Sequence, residues 1–169
     1  MAQENILPRR IDEIRKALTL ELYNCALTVA LTLPDICGRV AYPSESNGRR
    51  YKKWFRKYAR PLFINTALSI PDNETTYFTC FTEEECWALR CGVLHAGNYK
   101  TEGINLSTIR LHVHFRKGEN YSHFVRMDEY ADWDVVSICE KLCLAAEQYY
   151  LGACDKSVFD LDEVRIENW

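Results

Sequence analysis

An arginine and a histidine stand five residues apart in the segment ALRCGVLHAGN, residues 88–98. The imidazole of His95 can exchange protons near neutral pH, and the guanidinium of Arg90 stays charged and can bind a phosphate through two nitrogens. Metal-free cleavage of RNA requires a base for the 2′-hydroxyl, an acid for the leaving oxygen and a cation for the developing charge. The alternative is a surface arginine followed by a histidine at a helix C-terminus, where the helix dipole favours positive charge. The spacing alone favours this alternative.

The five-residue spacing also has a geometric consequence. On an ideal α-helix the two side chains would point about 140° apart, so we expect Arg90 and His95 not to share a face of one straight helix. The long arginine side chain reduces this separation. A second copy of the helix across a two-fold axis could also bring two arginines and two histidines to one seam. A chemical role for the pair therefore predicts a homodimer.

A basic segment, RRYKKWFRKYAR, occupies residues 49–60, and seven of its twelve residues are lysine or arginine. Tyr51, Phe55 and Tyr58 fall on one helical stripe and are expected to face the core. The cations would then form an outer surface for RNA or a partner, or simply a solvated face. The candidate RNA-binding residues are Arg49, Arg50, Lys52, Lys53, Arg56 and Lys57.

Two further sets of residues are weaker candidates. Asp35, in LPDICG, could orient His95 from a neighbouring helix, although such an aspartate more often caps a turn. His112 and His114 alternate along one predicted strand, and His123 would lie opposite His114 if the next strand pairs with it. Imidazole clusters can bind zinc, but no cysteine or carboxylate spacing completes such a site here. We therefore expect solvent-facing histidines and no metal.

The composition is that of one ordinary globular domain. The chain has 169 residues, 47% of them hydrophobic and 27% charged, with a formal net charge of −3. An acidic balance argues against a general polyanion binder, although a local basic patch remains compatible with it. The start MAQENILPRRIDEIRK lacks an apolar signal region, so we expect a cytoplasmic protein whose eight cysteines are reduced. No apolar run is long enough for a membrane span.

The hydrophobic pattern predicts a mostly α-helical fold with four main helices. The first is expected over residues 12–33, where Pro34 ends it and the chain turns through Gly38. The second follows from residue 47, and the third begins with a capping box at Thr82 and Glu85. STIRLHVHF and YSHFVRM are expected to form a β-hairpin before the last helix, residues 128–152. Residues 153–169 form a C-terminal tail.

LRCGVLHAG, late in a four-helix chain, resembles the arginine-to-histidine motif of HEPN domains, which are helical domains common in bacterial toxin and antiviral systems. YNCALTVALTLPDICG and RRYKKWF also resemble an uncharacterised bacterial group with this architecture. The resemblance covers most of residues 10–152 and implies a single HEPN-like domain over residues 1–169, a four-helix bundle with an inserted β-hairpin. It also implies a homodimeric, metal-independent endoribonuclease without cofactor, with Arg90 and His95 of both subunits at the interface.

One position departs from the family pattern, because Cys91 stands where many active members place asparagine, aspartate or histidine directly after the arginine. Thiols are weak hydrogen-bond donors. Asp35, Cys91 and Asn98 are the supporting site residues. The resemblance leaves open a non-catalytic interaction module that binds a partner protein or a nucleotide. It also implies single-stranded RNA as substrate, and an antitoxin or a nucleotidyltransferase-like protein as partner.

Overall fold

The computed structural model describes residues 5–68, 75–96, 108–113, 124–127, 130–153 and 155–159. In these ranges the protein is mostly helical, which confirms the predicted class. The helices are α1 (Ile6–Thr19), α2 (Tyr23–Ala30), α3 (Leu33–Ala41), α4 (Asn47–Trp54), α5 (Glu83–Cys91) and α6 (Val135–Gly152). The strands are β1 (Ile64–Leu68), β2 (Thr75–Thr79), β3 (Thr108–His112), β4 (Phe124–Met127) and β5 (Tyr130–Asp134).

The single helix predicted over residues 12–33 is wrong, because the chain leaves the helix after Thr19 and starts again at Tyr23. Glu21 has a positive φ of 59°, and its N–H donates to the carbonyl of Leu18. The N–H of Leu22 donates to the carbonyl of Ala17. This is a Schellman ending, which normally uses glycine at the left-handed position. A glutamate there gives no sequence signal for the break.

The predicted ending at Pro34 and turn at Gly38 are also wrong, since both residues lie inside α3. Pro34 occupies the first turn of the helix, where a proline costs no hydrogen bond. Gly38 is buried against α4, and a Cβ at this position would lie 2.9 Å from the backbone oxygen of Arg50. This glycine therefore serves the close approach of two helices.

The basic segment is helical, as predicted. It runs through α4, a π-helical segment (Phe55–Ala59) and a 3₁₀ turn (Arg60–Phe63) before β1 begins. Tyr51 and Phe55 are fully buried and Tyr58 is half-buried, so the aromatic stripe faces the core.

The predicted pairing of the two strands STIRLHVHF and YSHFVRM is wrong. β5 lies between β3 and β4, parallel to β3 and antiparallel to β4. The hairpin that precedes the last helix therefore consists of β4 and β5, and α6 begins at Val135 instead of residue 128. Asp134 caps α6, because its Oδ2 accepts the N–H of Ser137 at 2.9 Å. The turn predicted around residues 117–120 lies outside the described residues.

The apolar core joins the helices to the strands. α6 packs against α1, α2 and α3. Four fully or almost fully buried aromatic side chains, with ring centroids about 5–6 Å apart, link the end of the basic segment to the three-stranded sheet; they are Phe63, Phe81, Phe124 and Trp133. α4 packs against both α3 and α5, and this arrangement brings the candidate site residues of α3 and α5 together.

Candidate functional site

α5 carries Arg90 in its last turn, and its N-terminus is held by the predicted capping box. The N–H of Glu85 donates to Oγ1 of Thr82 at 3.3 Å, and the N–H of Thr82 donates to Oε2 of Glu85 at 2.7 Å. This confirms the capping prediction. The start of α5 is therefore fixed by local hydrogen bonds, and Arg90 is held two turns further along.

The helix changes its geometry directly after Cys91. Gly92–Ala96 is a π-helical segment, in which hydrogen bonds join residue i to residue i+5. Side chains five residues apart therefore approach the same side, and Nη1 of Arg90 lies 2.6 Å from Nε2 of the exposed His95. The expectation that these side chains point apart is wrong, because it assumed a regular α-helix. One protomer is sufficient to bring the pair into contact.

Asp35, in the first turn of α3, binds Arg90. Nε of Arg90 donates to Oδ2 of Asp35 at 3.0 Å, across 55 residues of sequence. The Arg90 side chain is 13% exposed and that of Asp35 is 19% exposed, so this ion pair is largely buried. Asp35 was expected to orient His95. The structure places it against Arg90 instead, and Arg90 in turn contacts His95.

Trp87 also contacts Arg90, and sequence reasoning missed it. The guanidinium carbon of Arg90 lies 5.1 Å from the centre of the indole ring, within the range of a cation–π interaction. The ring packs edge-on against Tyr51, and a Cβ added at Gly48 would lie 3.2 Å from it. The spacing of Trp87 and Arg90, three residues on one helix, was an available signal. α4 therefore supports Arg90 indirectly, through the indole.

Burial raises the pKa of Asp35, and this effect outweighs the opposing charges of Arg90 and Arg50, so that the net pKa is above the ordinary value. Oδ1 of Asp35 is buried and has no hydrogen-bond partner among the described residues. The carboxylate is thus held at an electrostatic cost that Arg90 only partly offsets. A single carboxylate oxygen makes the contact, so Asp35 positions the guanidinium through Nε and leaves its terminal nitrogens to other partners.

Tyr51 and Cys86 lie behind the site and are unsuited to acid–base work. The Tyr51 hydroxyl donates to the carbonyl of Leu31 at 3.1 Å and lies 3.2 Å from Sγ of Cys86. Burial raises the pKa of Cys86 to about 12 and that of Tyr51 well above its ordinary value. Neither group ionises near neutral pH, so we assign both to packing.

Of the two remaining supporting residues, Cys91 lies within the described part of the chain. Cys91 is a half-buried free thiol at the last position of α5. Asn98 lies outside the described residues. The arrangement that the structure shows is therefore a chain of contacts from Asp35 through Arg90 to His95, with the indole of Trp87 beside the guanidinium.

Most cations of the basic segment are engaged with carboxylates. Lys52 contacts Glu84 at 2.9 Å and Lys53 contacts Glu45 at 3.1 Å. Arg56 contacts the buried Glu83 at 2.7 Å. These ion pairs join α4 and the following π-helical segment to α5 and to the loop before α4, and they neutralise part of the positive charge of the basic segment.

The other three candidates for RNA binding differ from these. Arg49 and Lys57 are exposed, and the structure gives neither an ion pair with a described carboxylate. Nζ of Lys57 lies 5.0 Å from the centre of the Tyr58 ring. Arg50 is half-buried beside Asp35, and its Nε is buried without a hydrogen-bond partner among the described residues. Arg49 and Lys57 are thus the cations best placed to meet a phosphate.

Arg56→Ala is expected to lower the free energy of unfolding by about 1–2 kcal/mol, because it leaves the buried Glu83 without its shortest ion pair. Burial raises the pKa of Glu83, but its backbone hydrogen bonds and Arg56 outweigh this, and the net pKa is lowered. Ionised Glu83 therefore stabilises the fold above its unfolded pKa, and this contribution is lost as the pH falls through the folded pKa. Urea denaturation at neutral and acidic pH measures both effects.

The matched control for Arg56→Ala is Lys57→Ala, which removes an exposed cation from the next position. It is expected to leave the unfolding free energy close to that of the wild type, because the Lys57 side chain is exposed. Equal losses in the two variants, or a loss in Arg56→Ala that does not shrink at acidic pH, would contradict the role of Glu83.

The cluster considered from the sequence for the three hairpin histidines can be followed only at His112. His112 is half-buried, and its Nδ1 contacts Oδ1 of Asp132 on the neighbouring strand β5. His114 and His123 lie outside the described residues. Among the residues that the structure describes, no group of three or more histidine, cysteine or acidic side chains could hold a metal ion.

Comparisons with protein-family models, with curated proteins and with solved structures each find no match. None of the helices in the described part of the chain is long and apolar enough to cross a membrane.

Proposed function

We propose that this protein is a HEPN-like endoribonuclease that cleaves single-stranded RNA as a homodimer and without a metal ion. The observation that supports this most directly is the contact between Arg90 and the exposed His95, at the π-helical end of α5. Asp35 and Trp87 hold the arginine in place. A fixed cation beside an imidazole supplies two of the three groups that phosphodiester cleavage by the 2′-hydroxyl requires, the base and the cation.

The proposed reaction needs only RNA and these side chains. His95 takes the proton of a 2′-hydroxyl, the 2′-oxygen forms a bond to phosphorus, and the bond from phosphorus to the 5′-oxygen breaks. Arg90 stabilises the negative charge on the pentavalent phosphorus centre. The leaving oxygen takes a proton from His95 of the partner subunit in the proposed homodimer. The products are a 2′,3′-cyclic phosphate and a 5′-hydroxyl.

The homodimer and the biological setting are part of the same proposal. A second imidazole is needed as acid while the first acts as base, and a two-fold axis would supply it. The resemblance of LRCGVLHAG to HEPN domains supports a cytoplasmic toxin or antiviral component with an antitoxin or nucleotidyltransferase-like partner. Light scattering that shows only monomer at micromolar concentration would remove the second imidazole from the mechanism.

The wild-type protein, incubated with single-stranded RNA in EDTA, is expected to produce fragments whose 5′-hydroxyl ends are labelled directly by a polynucleotide kinase. The 3′ ends should carry a cyclic phosphate, which mass spectrometry distinguishes by the loss of one water. A dependence on divalent ions or the appearance of 5′-phosphate ends would contradict the mechanism. Intact RNA after long incubation would contradict nuclease activity altogether.

For RNA binding we propose Arg49 and Lys57, since the other exposed cations of the segment are paired with carboxylates. Replacing both with alanine is expected to lower the slope of log affinity against log salt by about 0.7 for each phosphate that these side chains neutralise. Fluorescence anisotropy with a labelled single-stranded RNA measures this slope. The matched control is Lys16→Ala on α1, an exposed lysine in an i,i+4 ion pair. An unchanged slope in the double variant would show that these cations form only a solvent-exposed surface and do not bind RNA.

A second candidate function is a non-catalytic HEPN-like module that binds a nucleotide or a partner protein. The observation that favours it is the contact of Nη1 of Arg90 with Nε2 of His95. A nuclease would need Nε2 of His95 as its base, and this contact occupies the lone pair of Nε2. Calorimetry with a nucleotide distinguishes the two functions. Binding that depends on Arg90 without any RNA cleavage would support the module.

A further inference from the structure

The direction of the hydrogen bond between Arg90 and His95 is set by chemistry. A guanidinium has only N–H donors and no acceptor, so Nη1 of Arg90 must be the donor. Nε2 of His95 must therefore carry a lone pair, and the proton of the neutral ring resides on Nδ1. The nitrogens are 2.6 Å apart, which is a short hydrogen bond. A hydrogen bond in this contact therefore requires a neutral His95 ring with its proton on Nδ1.

This contact blocks the base of the proposed chemistry. The lone pair of Nε2 is occupied, so it cannot accept a proton from a 2′-hydroxyl. One of the two N–H groups of Nη1 is engaged as well, and a phosphate oxygen can take this N–H only by displacing the imidazole. The other end of the guanidinium is fixed, because Nε donates to Asp35 at 3.0 Å. Arg90 can therefore exchange the partner of Nη1 while keeping its ion pair with α3.

We infer that a phosphodiester of RNA binds Nη1 of Arg90 in place of His95 and so releases Nε2 as a free base. The inference rests on the proposed ribonuclease function and describes its regulation, because the base would exist only while a phosphate is bound. A phosphate oxygen is negatively charged, whereas the imidazole that it replaces is neutral, so the guanidinium forms the stronger hydrogen bond with the phosphate. The exchange is therefore favourable, and the exposed ring of His95 is able to swing aside.

The test follows the ring nitrogens of His95 by NMR, with ¹⁵N-labelled histidine at about pH 8, above the ordinary titration range of imidazole. His95→Gln assigns the signals among the four histidines. Inorganic phosphate is titrated against sodium chloride at equal ionic strength. The Nε2 signal is expected to move downfield in phosphate, as its hydrogen bond is broken, while Nδ1 remains protonated. A single-stranded oligonucleotide that lacks 2′-hydroxyls should produce the same change.

Three variants make the result specific. Arg90→Lys keeps a positive charge beside Asp35, but its side chain ends one bond short of the position of Nη1. An ammonium held by Asp35 therefore does not reach His95, so Nε2 should already be free and should not respond to phosphate. If this variant does not fold, the double variant Asp35→Asn/Arg90→Gln avoids an unpaired buried carboxylate and should behave in the same way. Arg10→Ala, which removes a solvent-accessible arginine on α1, should respond as the wild type does.

The outcomes separate this inference from the nuclease proposal. The release of His95 is overturned if phosphate leaves the chemical shift of Nε2 unchanged, or if phosphate causes both ring nitrogens to be protonated. Either result counts even if RNA is cleaved. An equal response in Arg90→Lys also overturns the release, because the anion would then act without Arg90. A downfield movement that requires Arg90 supports the release. If the protein then cuts no RNA, the nuclease proposal fails while the anion-dependent contact stands.

Discussion

His95→Ala is expected to lower the rate of RNA cleavage by about 10²- to 10⁴-fold, the usual effect of removing a general acid or base. The side chain is exposed at the end of the π-helical segment and contributes little to the core, so the melting temperature should change little. Single-turnover cleavage and thermal unfolding are measured on the same preparation. Cleavage at the wild-type rate would show that His95 has no chemical role, and unfolding of the variant would show that it has a structural one.

Arg90→Ala is expected to reduce cleavage by a similar factor, because it removes the cation that stabilises the developing charge. Unlike His95→Ala, it should also destabilise the fold, since Asp35 would keep a largely buried carboxylate without its ion pair. Burial would then raise the folded pKa of Asp35 further above its unfolded value. The loss of stability should therefore be largest above the folded pKa and smaller at acidic pH, where Asp35 is protonated. Arg10→Ala is the control for both measurements.

Gly38→Val is expected to lower the free energy of unfolding by about 3 kcal/mol and to reduce cleavage as well. A Cβ at this position would lie 2.9 Å from the backbone oxygen of Arg50, and a backbone atom cannot rotate away. α3 would have to move off α4. Because α5 packs on α4 through Trp87, Asp35 would also move away from Arg90. Urea denaturation and the cleavage assay measure the two effects.

Gly152→Val is the matched control, because a Cβ at Gly152, the last residue of α6, meets no atom within 4 Å. It should leave both stability and cleavage close to the wild type. If Gly38→Val is equally mild, then the contact of α3 with α4 does not position Asp35. A variant of Gly38 that loses stability but cuts RNA normally would separate the packing of α3 from the site.

Local sequence patterns predicted those features whose interactions lie within a few residues. The capping box at Thr82 and Glu85 depends on groups three residues apart, and the structure contains both of its hydrogen bonds. The aromatic stripe of the basic segment follows from helical spacing, and Tyr51 and Phe55 are fully buried. Arg90 and His95 were also selected as candidates from their types, although the expectation that their side chains point apart was wrong.

Two local features escaped the same reasoning because their usual signals are missing. The break between α1 and α2 places Glu21 at a left-handed position where glycine is the usual signal. The π-helical segment Gly92–Ala96 has no residue pattern that separates it from an α-helix, yet it alone brings His95 to Arg90. In both places the backbone departs from regular geometry without a change in residue chemistry.

The remaining features depend on contacts between distant parts of the chain. Alternation predicts that β3 and β4 are strands, but hydrogen bonding across the sheet determines that β5 lies between them. The charges of the basic segment are visible in its composition, whereas their pairing with Glu45, Glu83 and Glu84 appears only when α4 and its flanking segments come together. Asp35 reaches Arg90 across 55 residues because α3 and α5 both pack on α4. Such pairings depend on packing in three dimensions, which short-range periodicity does not encode.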